Sequence, residues 1–347
     1  MKDIAEIDKN FAVVRACGKD DAVFYDALEK PFEINGVFFE DGKFRRLPEK
    51  VAAKVSEGVY ALHTHTAGGR VRFRTNSSYV IVSAKMPEIV RMGHFSMCGS
   101  AGFDMYDGKE YIASFVPPVL MEDGYDCLAD LREGKWRDIT INFPLYSEVS
   151  ELYIGLEEQA KIAPPKPYKD KLPVLYYGSS ITQGGCASRP GAAYQSILSR
   201  ELDVDFINLG FSGNAKAEKV MANYIKSIPM SVFVYDYDHN APSLGHLEAT
   251  HEKMFLTIRE ANPDLPIVMM SRPLYRLSEE EVRRVEIIKT TYENALARGD
   301  KNVYFIDGRE LMKHAKLEGT VDGCHPTDLG FYSMAKTLKK VLKKILF

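Results

Sequence analysis

The sequence has few of the features that mark a protein for metal, membrane or nucleic acid. Its five cysteines, Cys17, Cys98, Cys127, Cys186 and Cys324, are odd in number and scattered, with no CxxC pair. That pattern fits free thiols in a reducing compartment, not a disulfide framework or a structural zinc site. No run approaches the ~18 apolar residues of a membrane span. The opening residues, Met1 to Glu6, carry no apolar core of a secretory signal. A cytoplasmic location without a membrane partner is therefore expected. The net charge is only −3, so no global field draws the chain to nucleic acid. Nothing calls for a cofactor, no metal site is expected, and the pattern is silent on oligomeric state.

What is present is enough chain for two domains: 347 residues, 45% of them hydrophobic. Residues 1–162 read as all-β. Val71–Arg74, Tyr79–Val82 and Ile139–Phe143 are short and rich in β-branched or aromatic residues. Arg70-Val71-Arg72-Phe73-Arg74 alternates strictly, which predicts a strand with one wet face. Turn signals such as Glu40-Asp41-Gly42-Lys43 and Tyr106-Asp107-Gly108-Lys109 punctuate the region. The spacing predicts an antiparallel β-sandwich of jelly-roll type, with one short helix near Pro48–Val55. His63 and His65 would share a face of a strand, yet no third ligand stands nearby, so polar strand histidines are the reading. Trp136, the only tryptophan, is placed in a core or between domains in preference to a sugar-stacking surface.

Ala163-Pro164-Pro165-Lys166-Pro167-Tyr168-Lys169-Asp170-Lys171 is a stiff, solvated connector. Beyond it, residues 172–347 alternate strand and helix. Strands are expected at Val174–Tyr177, Phe206–Leu209, Val232–Tyr235, Ile267–Met270 and Val303–Ile306. Ser278-Glu279-Glu280-Glu281 is a capping box opening a helix that ends at Gly299. Strands separated by helices imply a parallel sheet covered on both faces, a flavodoxin-like three-layer α/β domain.

Polar residues gather after these strands, and in a parallel sheet all such loops open on one edge. Ser180 follows the first strand, Asn208 to Asn214 the second, Asp236 to Pro242 the third, and Asp322-Gly323-Cys324-His325-Pro326 comes after the fifth. Acyl transfer needs that set. Ser180 is a poor nucleophile until a base takes its proton, His325 is the natural base, and Asp322 can orient the imidazole. The N–H groups of Ser180 and Gly213 and the Asn240 amide could receive an oxyanion. Arg272, after the fourth strand, either contacts substrate or pairs with a carboxylate. Cys186 and Cys324 lie close by as bystanders.

These blocks, Gly178-Ser179-Ser180-Ile181, Asn208 to Gly213, Asp238-His239-Asn240-Ala241 and Asp322 to Pro326, resemble the four blocks of SGNH/GDSL hydrolases. The resemblance covers roughly residues 172 to 347 and implies a Ser-His-Asp acyl hydrolase. The family's Gly-Asp-Ser is Gly-Ser-Ser here, and its Gly-x-Asn-Asp is Asp-His-Asn-Ala. Gly102-Phe103-Asp104-Met105-Tyr106 resembles the GxDLY signature of a β-sandwich that precedes one subgroup, a layout also found in carbohydrate acetyl esterases. The resemblance implies a serine esterase acting on a small-molecule or carbohydrate ester. The alternatives are an acyltransferase using the same acyl-serine, or a sugar-binding protein with a degenerate hydrolase domain.

Overall fold

The computed structural model describes residues 17–169 and 172–347. The reading of Met1 to Glu6 and the end of the connector, Asp170 and Lys171, lie outside the described residues. The first half is mostly strand, in two large antiparallel sheets and the small hairpin Phe38–Glu40 with Lys43–Arg45. One runs in the order Ala22–Asp26, Glu151–Glu157, Tyr79–Lys85, Gly124–Asp130. The other runs Ile162–Ala163, Arg70–Thr75, Arg137–Asn142, Phe103–Asp107, Glu110–Phe115, with Glu33–Asn35 also paired to Arg70–Thr75. Strand alternation turns Val71, Phe73, Ile139 and Ile141 of one sheet toward Val80, Val82, Ile154 and Leu156 of the other. These residues form a single apolar core.

Three expectations for this half are corrected. The arginine face of Arg70–Thr75 is not wet: Arg70 and Arg72 are 1% and 6% exposed, the first covered by the second half of the chain and the second by the connector. Arg70 pairs with Asp205 and lies 3.9 Å over the Phe206 ring. Arg72 lies 3.7 Å over Tyr168 and donates to the Lys166 carbonyl. An arginine stem covers apolar surface while its planar head finds acceptors, so an alternating pattern with Arg does not report solvent. His63 and His65 do not share a strand face. His63 follows the helix Glu57–Leu62 and meets Arg45, whereas His65 meets Gln183. Trp136 is 53% exposed, in no core. It also lies at the far end of Arg137–Asn142 from the loop that reaches the second domain, ~20 Å away at 3.3 Å per residue.

The second half is the expected α/β domain. Its parallel sheet runs Phe206–Gly210, Val174–Gly178, Val232–Asp236, Ile267–Met270, Val303–Ile306, the flavodoxin-like order 2-1-3-4-5. Alternate residues feed two apolar layers. Leu175 and Tyr177 join Phe233, Tyr235, Leu247, Phe255 and Ile288 on one side. Val174 and Tyr176 join Val234, Tyr194, Leu198, Phe331 and Leu338 on the other. The capping box at Ser278 and Glu281 forms as read, and its helix spans Glu279–Ala297 with Gly299 at φ +85°. In the last helix, Asp328–Leu346, Leu338 and Leu342 are fully buried. No helix among the described residues is long and apolar enough to cross a membrane.

The two halves share structure. Helices Glu49–Val55 and Glu57–Leu62 put Ala52 and Val59 into the core of Met221, Ala222 and Ile225. Asp104, within Gly102-Phe103-Asp104-Met105-Tyr106, is fully buried at the seam. Its carboxylate accepts from Arg189 Nη1 at 2.9 Å, the Gly191 N–H at 2.8 Å and Asn142 Nδ2 at 2.8 Å. The Tyr106 hydroxyl accepts from the same Arg189 nitrogen. Arg189 is 27% exposed, so removing the carboxylate chiefly strands the buried Gly191 and Asn142 donors, at about 1–3 kcal/mol. Asp104→Ala should therefore lower unfolding stability by about that amount, read from denaturant melts; a loss below about 1 kcal/mol would contradict this account of the seam.

Candidate active site

The edge formed by Gly178, Gly210 and Asp236, which pair in register, carries the site. It lies where the strand order reverses, between Val174–Gly178 and its two neighbours, the usual ligand crevice of an open α/β sheet. Ser180 begins a short helical turn, Ser180–Gln183. Ser179 caps that turn, its Oγ accepting from the Ile181 N–H at 3.2 Å. Gly178 permits the turn to sit low, because a Cβ there would collide with Asp236 Oδ1 and Thr182 Oγ1.

Ser180 Oγ lies 2.9 Å from His325 Nε2, and His325 Nδ1 lies 2.7 Å from Asp322 Oδ2. The other Asp322 oxygen accepts the backbone N–H of His325 at 2.7 Å and of Cys324 at 2.9 Å. Burial works against the ionised Asp322, but the His325 side chain and these amides win and hold its carboxyl down to about 2. A carboxylate locked by two amides presents its free oxygen to the imidazole in one orientation. Thr327, not Asp322, caps the helix that follows.

The three expected oxyanion donors converge unevenly. The N–H groups of Ser180 and Gly213 have no acceptor among the described residues. Gly213 sits at φ +69°, a conformation that suits glycine and turns its amide out of the local hydrogen bonding. Asn240 Nδ2 donates one hydrogen to the Phe211 carbonyl at 2.9 Å, which fixes the amide and leaves its second hydrogen. Arg272, offered as a substrate contact or a carboxylate partner, is placed as the partner. Its guanidinium reaches Asp238 at 3.1 Å and Glu281 at 3.4 Å. Arg284 adds a second cation at 3.3 Å to the fully buried Asp238. Burial opposes ionisation of Asp238, yet Arg272 holds its carboxyl below the usual value. The loop that carries Asn240 is thus pinned from beneath by a buried charge cluster.

Other residues from outside the motifs lie beside the site. The Tyr146 hydroxyl donates to the Ser180 carbonyl at 3.3 Å. His94, exposed on a loop of the first domain, brings its ring centroid to 5.9 Å from that of His325. Gln183, fully buried, donates to the Leu145 carbonyl at 3.2 Å and faces His65 Nδ1 at 3.3 Å, while its Oε1 accepts the Ser212 N–H at 3.0 Å. No local signal marks Tyr146 or His94, because their neighbours at the site are more than thirty residues away in the chain. Gln183 stands two residues past the block Gly178-Ser179-Ser180-Ile181, and only the folded chain supplies its three partners.

Asp236 lies directly under the nucleophile turn and accepts from Thr182 Oγ1. Burial, with Asp238 nearby, raises its carboxyl to about 8. A folded-state value above the unfolded 3.8 means the folded chain keeps a proton that the unfolded chain has lost. Stability is then fullest below about pH 4 and declines as pH rises toward 8. Asp236→Asn removes that dependence, so its melting temperature relative to the parent should be higher at pH 8 than at pH 5. A gap that stays constant between the two would refute the protonated carboxyl.

The model of the GDSL-like lipase/acylhydrolase family matches residues 171–343, and that of the GxDLY domain, the N-terminus of SGNH-hydrolase-type esterases, matches residues 22–162. A GDSL-like lipase from Bacteroides ovatus superposes with a TM-score of 0.84 at 30% identity, over 94% of this chain and 98% of that one. The salicylyl-acyltransferase SsfX3 of a tetracycline biosynthetic pathway gives 0.77 at 18% identity, over 94% and 99%. A family two carbohydrate esterase from Clostridium thermocellum, solved with cellohexaose, gives 0.63 at 16% identity, over 91% and 99%. No curated protein sequence matches the chain. With both halves matched in order and one relative alike from end to end, the chain belongs to the GDSL-like lipase/acylhydrolase family, as a carboxylic ester hydrolase with an N-terminal GxDLY domain.

Proposed function

We propose that the protein is a serine esterase that removes a small acyl group, acetyl above all, from a carbohydrate or similar polar ester. The observation that carries the reading is the unbroken chain from Ser180 Oγ through His325 to Asp322, at 2.9 and 2.7 Å. His325 Nε2 takes the Ser180 proton as Oγ attacks the ester carbonyl. The oxyanion is received by the N–H groups of Ser180 and Gly213 and the second Asn240 hydrogen. As the tetrahedral intermediate collapses, the imidazolium returns its proton to the leaving alcohol. Water, activated by the same nitrogen, then releases the acid from the acyl-Ser180. Asp322, held ionised, stabilises the imidazolium at both stages.

The small-acyl reading is supported by the composition of the loops at the site. Gln183 to Gly191 and Asp236 to Leu244 are polar or rich in glycine and proline, with no aliphatic lid. A longer chain gains ~0.8 kcal/mol per CH₂ only if apolar surface receives it. The carbohydrate reading is supported by likeness of fold to carbohydrate esterases, which is an argument by analogy. Likeness to an acyltransferase favours a second reading, in which an acceptor alcohol replaces water.

Ser180→Ala should abolish turnover in a folded protein. Ser179→Ala loses a helix cap, about 1 kcal/mol, and should keep substantial activity. Asn240→Ala should lower kcat by about 10²–10³ with little change in KM, because the donor acts in the transition state. An active Ser180→Ala would end the acyl-serine mechanism. For the substrate, kcat/KM should fall steeply from acetyl to butyryl to octanoyl esters of one alcohol, and acetate should be released from peracetylated xylose or glucose. A preference for octanoyl would overturn the small-acyl reading, and no release from any acetylated sugar the carbohydrate one. Acylated product on adding acceptor alcohols would favour transfer.

A further inference from the structure

We propose that His94, Cys186 and His325 form a site for a soft divalent cation of the zinc type, and that its occupation switches the esterase off. The three residues come from separate parts of the chain: a loop of the first domain, the turn after Ser180–Gln183, and the Asp322–His325 loop. Each offers one ligand atom, and these atoms all lie within 4.8 Å of one another. Tetrahedral zinc, with bonds of about 2.0–2.3 Å, sets its ligand atoms ~3.3–3.6 Å apart. Closing a gap of at most ~1.2–1.5 Å takes a small movement of the ligand side chains.

The ring of His325 is already oriented for this role. Its Nδ1 is engaged with Asp322 at 2.7 Å, so only Nε2 can face a cation. A carboxylate on the far nitrogen of a ligating histidine fixes the tautomer and strengthens the donor. The same lone pair receives the Ser180 proton, since Oγ is 2.9 Å from Nε2. Base and ligand are therefore mutually exclusive states of one atom. That exclusion is the inhibitory mechanism, and it rests on His325 being the base proposed above; the binding itself does not.

Cys186 supplies the selectivity. A coordinated thiol is deprotonated outright: the S–H proton leaves to solvent as the metal–sulfur bond forms. Two imidazoles and a thiolate suit zinc or copper and are poor ligands for magnesium or calcium. Three protein ligands leave a fourth position open to water.

The test uses the full chain, freed of metal with EDTA. Zinc chloride should inhibit acetyl-ester hydrolysis, EDTA should restore it, and magnesium or calcium should have no effect. His94→Ala and Cys186→Ser should each keep the metal-free activity and raise the inhibitory zinc concentration by about tenfold or more. Cobalt(II) should give a thiolate charge-transfer absorption in wild type and in Ser180→Ala, but none in Cys186→Ser. The cobalt band in a wild type that hydrolyses no ester would leave the site standing and refute the esterase reading instead. Zinc inhibition of equal strength in wild type and both variants would overturn the site, as would no inhibition and no cobalt band at ~1 mM metal.

Discussion

One buried amide joins the parts of the site. Gln183 is fully enclosed, at the end of the turn that begins with Ser180. Its oxygen takes the Ser212 N–H, one residue before Gly213, and its nitrogen reaches the Leu145 carbonyl and His65 of the first domain. Nucleophile turn, glycine loop and first domain are thus held by a single planar group. An amide so enclosed has no water to replace a lost partner, so losing any one of these contacts leaves a buried polar group unpaired.

Around that amide the domains are joined by buried arginines. Arg46 is 2% exposed and faces carbonyls, not carboxylates: those of His65, Leu62, Asn208 and Gly210. Its guanidinium also lies 4.8 Å over Phe211. It therefore satisfies the end of the strand Phe206–Gly210 where the glycine loop departs. Arg70 does the same for the start of that strand, through Asp205 and the Phe206 carbonyl. Arg189, bonded to Asp104, anchors the loop that follows the nucleophile turn. The first domain is consequently part of the scaffold of the candidate site: it holds the backbone from which the glycine loop departs.

The site departs from its family pattern at Asp238, and the structure supplies a reason. Asp238 is the centre of a buried cluster with Arg272 and Arg284 that supports the Asn240 loop from below. A charged residue fits there because two guanidiniums and the Arg272 N–H compensate its lost hydration. Arg272 accordingly acts within the protein, although its place after a strand gave it the look of a substrate contact.

The sequence by itself determined the second domain nearly to the residue. Short apolar runs, a capping box and a terminal glycine are local signals, and a parallel sheet sends every loop after a strand to one edge. Ser180, Gly213, Asn240, Asp322 and His325 could be gathered on that basis, each within a few residues of a readable strand end. The first domain was legible as antiparallel strands, because alternation is local too. Its relation to the second was not. Alternating arginines look the same whether they meet water or a partner domain, so alternation alone assigns Arg70 and Arg72 to a wet face, and no local signal separates an exposed Trp136 from one in a core or between domains. Tyr146, His94 and the partners of Gln183 depend on contacts between residues far apart in sequence. Only tertiary structure decides such contacts, because they follow from how two finished surfaces fit, and no local periodicity encodes that fit.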